Sequence, residues 1–445
     1  MAVEPAPHIP RAWPFKKVYY GWAVVSASTV AAFGMAPMFG PVLGVFFTSI
    51  EEELGWDRAT IALAFTIGSS MGSLFQFLIG HLLDKYGARL IVAGAGVLIT
   101  VAMLGLWRMQ EPWQFWVFFG VGRGSALAGI QIGTSVALSN WFIRKRGRVI
   151  AIRGVGQRAG QAAMPMIIFA IMAVWGWREA FLALAVVTAI MIILPAVLFI
   201  RRRPEDMGLT IENMTPDELA DLRKGGQSGA RGLARQVHDI SFTLAEARRT
   251  RAFWILLFYS IVDRFALGAI NLHMVANFED QGLALGLAVS TLSIFAATSA
   301  LTALPWGFVF ERLHVRYGAM LMSALYFLAV LVLIVADNYA LALLFAVLYG
   351  LATGAGNIVG NMLWADYFGR DHLGAIRGFG APFRLLTPTG AFLTGVMYET
   401  TGNYVLPFSI FAGIFVFMVG LMYFATPPVK RETPVEAESE TSAEG

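Results

Sequence analysis

Charge is scarce in this sequence. Aspartate, glutamate, lysine and arginine make up 14% of its 445 residues, against the roughly 25% that is usual for a soluble domain. Cysteine is absent, which excludes disulfide bridges, thiolate metal sites and thiol nucleophiles. The six histidines form no pair at the helical spacing of metal ligands, so no metal or other cofactor is expected.

Motifs of enzymes and of nucleic-acid-binding proteins are missing as well. No Gly-x-x-x-x-Gly-Lys-Ser/Thr run is present, which argues against nucleotide hydrolysis. No Ser/His/Asp or His/Glu grouping offers a nucleophile with its base. The polar segments are too short and too mixed in charge to form the basic face that nucleic-acid binding needs. We therefore expect neither an enzyme nor a nucleic-acid partner.

Long apolar runs take up most of the chain. Hydrophobic residues amount to 57% of the sequence, and runs of about 20 apolar residues recur, each long enough to cross a hydrocarbon core of roughly 30 Å. The sequence thus predicts an all-α membrane protein with twelve transmembrane helices in the lipid bilayer. The predicted spans are 18–48, 58–83, 90–108, 113–141, 149–175, 179–200, 252–276, 286–310, 317–336, 339–364, 375–397 and 404–425.

Basic residues concentrate in alternate connections and indicate the orientation. Lys85 and Arg89 follow span two, Arg201–Arg203 follow span six, and Arg312 and Arg316 flank the connection after span eight. The connections after spans four and ten are basic as well, whereas those after odd-numbered spans hold isolated cations, among them Arg58, beside several acids. By the positive-inside rule, both termini are expected in the cytoplasm of a multi-pass plasma-membrane protein, the inner membrane in a bacterium.

A polar segment divides the predicted spans into six and six. The expected domains are a cytoplasmic segment at 1–17, six-helix bundles at 18–200 and 251–426, a cytoplasmic loop at 201–250, and a disordered acidic tail at 427–445. The two bundles are expected to be pseudo-symmetric, because WFIRKRGRVIAIRGVG (141–156) aligns with YFGRDHLGAIRGFG (367–380). Such duplication is typical of transporters whose substrate site lies between the two halves.

The connection after span two carries the most specific motif. GHLLDKYGARL (80–90) resembles the cytoplasmic loop signature of the major facilitator superfamily, Gly-x-x-x-Asp-Arg/Lys-x-Gly-Arg-Arg/Lys. The matching residues are Gly80, Asp84, Lys85, Gly87 and Arg89. The small glycine lets two helix ends approach, and the acid can pair with neighbouring cations. The resemblance implies the fold of that superfamily and a cytoplasmic gate formed by these residues.

A second motif narrows the resemblance. WFIRKRGRVIAIRGVGQRAG (141–160) is similar to the span-five signature of the monocarboxylate transporters and their bacterial oxalate/formate-exchanger relatives, with Gly156 and Gly160 at its small positions. The likeness implies transport of small carboxylates. Arg153 and Arg158 replace small residues of the family pattern, and span eight lacks the family's Asp and Arg four residues apart. These departures argue against a simple lactate-like specificity.

Deeply placed charges point to the kind of substrate. Counted at about 1.5 Å per helical residue, four arginines fall inside the hydrocarbon zone, namely Arg123, Arg158, Arg264 and Arg384. A charge at that depth costs about 2.5–3.5 kcal/mol, so each must face a protein-lined or aqueous interior. Only one deep acid, Asp263, accompanies them. The surplus of positive charge indicates an organic anion, because the guanidinium fork matches a carboxylate.

The candidate residues also have structural alternatives. The deep arginines can brace or pack helices, although the oxalate/formate relatives also carry a cation in span eleven, where Arg384 lies. Asp263 is the expected proton carrier, and a permanent counter-ion is its alternative role. Asn357 and Asn361, four residues apart on span ten, are further substrate-binding candidates, with bonding to a neighbouring helix as their alternative.

The favoured interpretation is a secondary active transporter that imports a small mono- or dicarboxylate with protons, acting as a monomer by alternating access. Anion exchange and the efflux of drugs or metabolites are the alternatives. Span five reads GVGQRAGQAAMP and lacks the Gly-Pro of drug-efflux families. A sensor built on the transporter fold is less favoured, because neither terminus nor the central loop is large enough for an output domain.

Overall fold

The structure is a computed structural model that describes residues 19–143, 145–214, 242–369, 372–380 and 382–428. Helices and their connections make up these residues, and no strand occurs among them. The predicted N-terminal segment at 1–17, residues 215–241 of the central loop and residues 429–445 of the tail lie outside the described ranges.

The helices of the first half precede the central loop. They are α1 Gly21–Gly34, α2 Gly40–Gly44, α3 Phe47–Leu54, α4 Arg58–Trp107, α5 Pro112–Ser125, α6 Gln131–Trp141, α7 Arg146–Trp175, α8 Trp177–Thr188 and α9 Leu194–Phe199. Single π-helical turns, Ala126–Ile130 and Ala189–Ile193, join α5 to α6 and α8 to α9, so each pair forms one continuous rod.

The helices of the second half follow the central loop. They are α10 Leu244–Arg248, α11 Arg251–Asp280, α12 Leu285–Arg312, α13 Val315–Ile334, α14 Tyr339–Phe368, α15 Leu373–Phe379, α16 Thr389–Thr401 and α17 Val405–Phe424. A 3₁₀ segment, Pro382–Leu386, lies between α15 and α16. Pro388 follows it and is the N-cap of α16, so predicted span eleven is interrupted near its middle.

Nine helical segments of the described residues are long and apolar enough to cross a membrane. They coincide with predicted spans three to ten and span twelve. Predicted spans one and eleven are broken helices, and span two is the first arm of α4. The expected all-α membrane class is confirmed, and the interruptions explain why spans one and eleven differ from a simple rod.

Gly87 ends the first arm of α4. Its backbone has φ 76° and ψ 163°, a conformation that only glycine adopts without strain. Lys85 and Arg89 are exposed on either side of this break. The backbone conformation at this position thus explains why one residue of the predicted loop motif is glycine. The end of the bundle at which Gly87 lies is called the loop end below.

Among the described residues, the two halves meet mainly along three helix pairs. α7 packs on α12, α4 packs on α16, and α2 packs on α11. The contacts begin at the end of the bundle opposite to the loop end, where α4 starts at Arg58. They reach at least the middle, where the hydroxyl of Thr66 donates to the Pro388 carbonyl over 2.9 Å. The end at which Arg58 lies is called the clamp end below.

Two glycines of the predicted span-five motif explain a close contact within the first half. A Cβ at Gly156 would lie 2.7 Å from the Thr29 carbonyl oxygen, and one at Gly160 would lie 2.6 Å from the Phe33 carbonyl oxygen. Backbone atoms cannot move aside as a flexible side chain does. Glycine at these positions therefore allows α1 to lie directly against α7.

Matched substitutions on α7 test this packing. We expect Gly156→Ala to lower the free energy of unfolding by about 1–3 kcal/mol, because the added methyl group overlaps the backbone of α1. Gly154→Ala is the control, since a Cβ there meets nothing within 4 Å. It should be neutral or stabilising by up to about 1 kcal/mol, as alanine favours helix. Thermal unfolding followed by tryptophan fluorescence compares them, and equal melting temperatures would contradict the interpretation.

Candidate functional site

A cavity of about 300 Å³ lies between the two halves of the bundle. α4 and α5 supply one wall, and α11, α14 and the interrupted segment around Pro388 supply the other. Ser69 and Gln76 line it at 11 and 18 residues beyond Arg58, hence about 16 and 27 Å from the clamp end. The cavity therefore runs from the middle of the bundle towards the loop end.

The charge of this cavity is positive. Four arginines line it, and no carboxylate occurs among its described lining residues; the four are Arg123, Arg264, Arg377 and Arg384. Arg384 is close enough to Arg264 and Arg377 for their guanidinium groups to repel one another. An anion bound here would offset that repulsion. Three of the four arginines predicted as substrate-binding residues are thus brought together.

Arg264 and Arg384 are the accessible members of the group. Both side chains are exposed, and neither forms a hydrogen bond or an ion pair with another residue that the structure describes. The interrupted helix presents Arg384 from the 3₁₀ segment Pro382–Leu386. Because their donors are not occupied by the protein, these two residues can make charge-assisted hydrogen bonds to an anion.

Arg123 is held in place by the protein. Only 7% of its surface is exposed. Its Nε donates to the Ser69 hydroxyl over 2.7 Å, and its Nη1 donates to the Met38 carbonyl. Its guanidinium carbon lies 3.9 Å from the centre of the Phe65 ring. Arg123 therefore joins α5 to α4 and to the broken first span, in addition to lining the cavity.

The arginines of α7 lie elsewhere. Arg158 is not among the cavity-lining residues, and its Nη1 donates across the two halves to the Ser299 carbonyl over 3.4 Å. Arg153 is buried, and its Nε donates to the Thr134 hydroxyl over 2.6 Å. Its Nη2 has no hydrogen-bond partner within the described part of the chain. Arg158 thus lies outside the lining of this cavity, and its substrate role stays a prediction.

Arg377 was not predicted as a substrate-binding residue. The prediction selected arginines by their depth in the membrane, and Arg377 lies near a basic connection. The internal repeat offered a signal: Arg377 and Arg153 occupy the same place in the two copies of Ala-Ile-Arg-Gly. The structure separates the copies, since Arg377 lines the cavity and Arg153 is buried in the first half. Sequence duplication thus identified the position without indicating which copy faces the cavity.

Neutral polar side chains complete the lining and were also missed. Ser69, Ser73 and Gln76 follow one another at intervals of four and three residues on α4, and Ser260 and Thr387 lie across from them. The helical spacing of the first three was the available signal. These groups supply hydrogen bonds without fixing a charge. No group of residues that could hold a metal ion occurs in the described ranges.

Asp263 lies beside the cavity, next to Arg264 but not among the lining residues. Its Oδ1 is buried and has no hydrogen-bond partner among the residues described. It interacts electrostatically with Arg264 and with the hydroxyl groups of Tyr259, Tyr326 and Tyr349. This carboxyl is therefore set among tyrosines of α11, α13 and α14, with one oxygen that no described donor satisfies.

Several predicted residues stay untested by geometry. Asn357 and Asn361 lie on α14, but their side chains fall outside what the structure describes. The same holds for Gly80 and Asp84 of the predicted gate. Lys85 and Arg89 are described as exposed, and the ammonium of Lys85 lies 5.2 Å from the centre of the Tyr86 ring. The gate at the loop end therefore remains a prediction.

A second arginine site closes the clamp end. Arg58 is 4% exposed, and its Nη1 and Nη2 donate to the Asp280 carboxylate over 2.5 and 2.8 Å. Its Nε donates to Glu51 over 3.0 Å, and its Nη1 also donates to the Tyr404 hydroxyl over 3.0 Å. The Tyr398 ring centre lies 4.1 Å away. These five residues form the arginine clamp.

The arginine clamp joins the two halves. Arg58 and Glu51 belong to the first half, whereas Asp280 and the two tyrosines belong to the second. The Arg58 backbone N–H also donates to Glu399 over 3.0 Å, again across the halves. Sequence reasoning placed Arg58 among isolated cations of a connection, because its partners are distant in the chain.

Comparisons with known proteins agree on one family. The family model described as Major Facilitator Superfamily matches residues 22–262 and 252–443. The chain is 28% identical to the oxalate:formate antiporter of Oxalobacter formigenes over 283 residues, and this alignment covers 62% of the chain. The match spans 60% of that relative, less than two thirds of its length.

Two further proteins cover more of the chain. Monocarboxylate transporter 2 of Homo sapiens is 22% identical over 431 residues, which cover 90% of this chain and 84% of that protein. The solved structure of the nucleoside transporter NupG has a TM-score of 0.69 at 14% identity and covers 92% of this chain and 99% of its own. At that identity, the likeness to NupG shows the fold alone.

Removing single arginines separates their roles in stability. We expect Arg123→Gln to lower the free energy of unfolding by about 1.5–3 kcal/mol for each hydrogen bond lost. Arg384→Gln should leave the free energy of unfolding unchanged or raise it by up to about 1 kcal/mol, because it removes one of several repelling cations. Thermal unfolding at low and high salt measures this. Destabilisation by Arg384→Gln as large as that by Arg123→Gln would show that Arg384 has a structural partner.

Proposed function

The chain belongs to the major facilitator superfamily and is a membrane transporter, and on this premise we propose that it moves a small organic anion by alternating access. The observation that supports this substrate class is the central cavity with its arginines and without a described carboxylate. A carboxylate bound between Arg264 and Arg384 would receive charge-assisted hydrogen bonds from both. Relatives named as oxalate:formate antiporter and monocarboxylate transporter carry small carboxylates, which favours the same class here.

We propose that the loop end faces the cytoplasm. Lys85, Arg89 and the basic run Arg201–Arg203 lie at the connections on this side, as the positive-inside rule requires. On this assignment, the cavity in this structure extends towards the cytoplasm, and the arginine clamp closes the external end. The structure then corresponds to an inward-facing state, and the complementary state requires the clamp to separate.

Asp263 is the proposed proton carrier. It lies beside Arg264 on α11, and one of its oxygens has no donor among the described residues. A proton on that carboxyl would remove a buried charge, whereas an ionised carboxylate would draw Arg264 away from an anion. Binding of the proton and of the anion would therefore support each other. This coupling favours import with protons.

Anion exchange is a second candidate. The repulsion between Arg264, Arg377 and Arg384 is relieved only while an anion occupies the cavity. An empty cavity would then change conformation more slowly than a filled one, and one anion would leave as another enters. The name of the relative that matches at 28% identity, an antiporter, is consistent with this mode.

Uptake into proteoliposomes tests the substrate class. Labelled mono- and dicarboxylates are supplied with and without an inward proton gradient, beside a cationic and a neutral compound. We expect Arg264→Gln and Arg384→Gln to raise the KM for the anion by about tenfold or more, since each removes a contact to a charged group worth about 1.5–3 kcal/mol. Arg108→Gln is the control, because Arg108 is exposed and stacks on Trp107 outside the cavity. Transport of the other compounds without any carboxylate would overturn the proposal.

The same vesicles test proton coupling. We expect Asp263→Asn to abolish gradient-driven uptake and to preserve exchange of labelled for unlabelled anion, because asparagine keeps the shape but carries no proton. Loss of both activities in a protein that still unfolds cooperatively would mark Asp263 as a structural counter-ion. Uptake that responds to the gradient in Asp263→Asn as in the wild type would place the coupling elsewhere.

A further inference from the structure

A buried histidine is connected to the arginine clamp through one hydroxyl. His273 of α11 is fully buried, and its Nδ1 lies 3.0 Å from the Tyr404 hydroxyl. That same hydroxyl accepts from Nη1 of Arg58 over 3.0 Å. On its other side, the Nε2 of His273 lies 2.9 Å from the Ala391 carbonyl. The chain of contacts thus runs from the clamp to the backbone of α16.

The partners determine where the protons are. A carbonyl oxygen can only accept, so Nε2 of His273 carries a hydrogen. Arg58 can only donate, so the Tyr404 oxygen accepts from it and turns its own hydrogen towards Nδ1. Nδ1 is therefore the unprotonated nitrogen. In the closed clamp, His273 is neutral and all its hydrogen-bonding groups are satisfied.

A second proton on His273 does not fit this arrangement. Nδ1 would become a donor and face the Tyr404 hydroxyl, whose hydrogen would lose its acceptor. The imidazolium would also lie one hydroxyl away from the Arg58 guanidinium, which already occupies the carboxylate of Asp280. Two cations in a buried cluster repel strongly, because the surroundings screen them poorly. Protonation of His273 therefore opposes closure of the clamp.

We propose that His273 is a proton-binding site that controls the clamp end, so that a proton taken up there opens it. The proposal rests on the proposed function, because it assigns the clamp end to the external side. It adds a site to that function, since Asp263 lies ten residues earlier on α11, about 15 Å away. Acid outside the membrane would then favour the state that accepts substrate from outside.

Other titratable groups lie near the clamp and have to be separated from His273. The ring of Phe47 covers one side of the imidazole, with ring centres 5.3 Å apart. The charged and titratable groups around it are Arg58, Glu51, Glu279, Asp280, Tyr398, Glu399 and Tyr404. Protonation of a clamp carboxylate would also weaken the clamp. The experiment must therefore remove the histidine proton without touching the carboxylates.

The absence of cysteine makes a distance measurement direct. Cysteines replace the exposed residues Gln110, between α4 and α5, and Thr400 of α16, one in each half at the clamp end, and carry spin labels. Pulsed dipolar spectroscopy in lipid nanodiscs then gives the ratio of open to closed clamp at about pH 5 and about pH 8, on either side of the ordinary histidine pKa. We expect the ratio to rise on acidification, by at most about tenfold per pH unit for one linked proton.

Two substitutions remove the proton and keep one hydrogen bond each. His273→Gln retains a donor for Ala391, and His273→Asn retains an acceptor for Tyr404; neither side chain titrates in this range. We expect both to abolish the change of the ratio with pH. Thermal unfolding and elution as a single species establish that each variant is folded, and either variant alone suffices for the test.

The matched control is Glu53→Gln at the same end. Glu53 accepts from Arg178 over 2.8 Å and from Trp177 over 2.6 Å, all within the first half. The hydrogen bond from Arg178 holds the pKa of Glu53 below its ordinary value, so the group stays ionised throughout the measured range. The control should keep the pH response of the parent. A general effect of removing a titratable group at this end would instead appear here as well.

The outcomes separate the site from the transport proposal. A pH response that persists in a folded His273 variant would assign it to the carboxylates of the clamp and overturn the proposal, as would a parent protein with no pH response. The distance measurement needs no substrate. A pH-dependent clamp in a protein that moves no carboxylate would leave the site standing and refute the substrate class. Carboxylate transport with a pH-independent clamp would support the substrate class and overturn the proposed role of His273.

Discussion

The structure depends on how buried guanidinium groups are neutralised. Inside an apolar bundle, a charge without a partner costs several kcal/mol, so each deep arginine needs an acceptor, an opposite charge or access to an anion. The guanidinium group of Arg58 donates hydrogen bonds to Asp280, Glu51 and Tyr404, and these bonds join the two halves. Arg384 has no such partner within the described residues, and Arg264 has only its electrostatic interaction with Asp263. At the clamp end the positive charge is balanced by residues of the protein, whereas in the cavity it is left without a described carboxylate.

The two ends of the bundle therefore differ in how their arginines are balanced. At the clamp end, charge is satisfied by the protein itself, and glycines such as Gly395 bring the backbones of α16 and α4 into contact. Beyond the middle, the cavity is lined by arginines and by no described carboxylate. Arg123 combines the two situations, because it donates a hydrogen bond to Ser69 and also lines the cavity. On the proposed function, an anionic substrate would supply negative charge there and alter the balance between conformations, as alternating access requires.

One helix connects these regions. α11 carries Asp280 in the clamp, His273 behind it, Gly268 and Arg264 at the cavity, and Asp263 beside it. A change of charge at either titratable residue therefore acts on a helix that contacts both the arginine clamp and the cavity. The two sites need not communicate through a long chain of side chains, since a rigid helix moves as one body.

The sequence by itself determined the membrane class, the order of the spans and the presence of deep cations. Apolar run length and the positions of charges are local properties, and counting along a helix is enough to place Arg264 and Arg384 in depth. Gly87 and Gly156 were likewise recognisable from motifs before their backbone reasons were visible. Depth along the membrane normal can be read from a sequence because the helical rise is fixed.

Only the tertiary structure decided which of these groups meet. Arg58 and Asp280 are separated by 222 positions in the chain, and no local pattern relates them. The two copies of Ala-Ile-Arg-Gly look alike, yet only Arg377 reaches the cavity while Arg153 is buried beside Thr134. His273 was indistinguishable from an ordinary interfacial histidine until Tyr404 was placed next to it. The face that a helix turns inward, and the helix it turns towards, follow from packing of the whole bundle, which a periodic pattern does not specify.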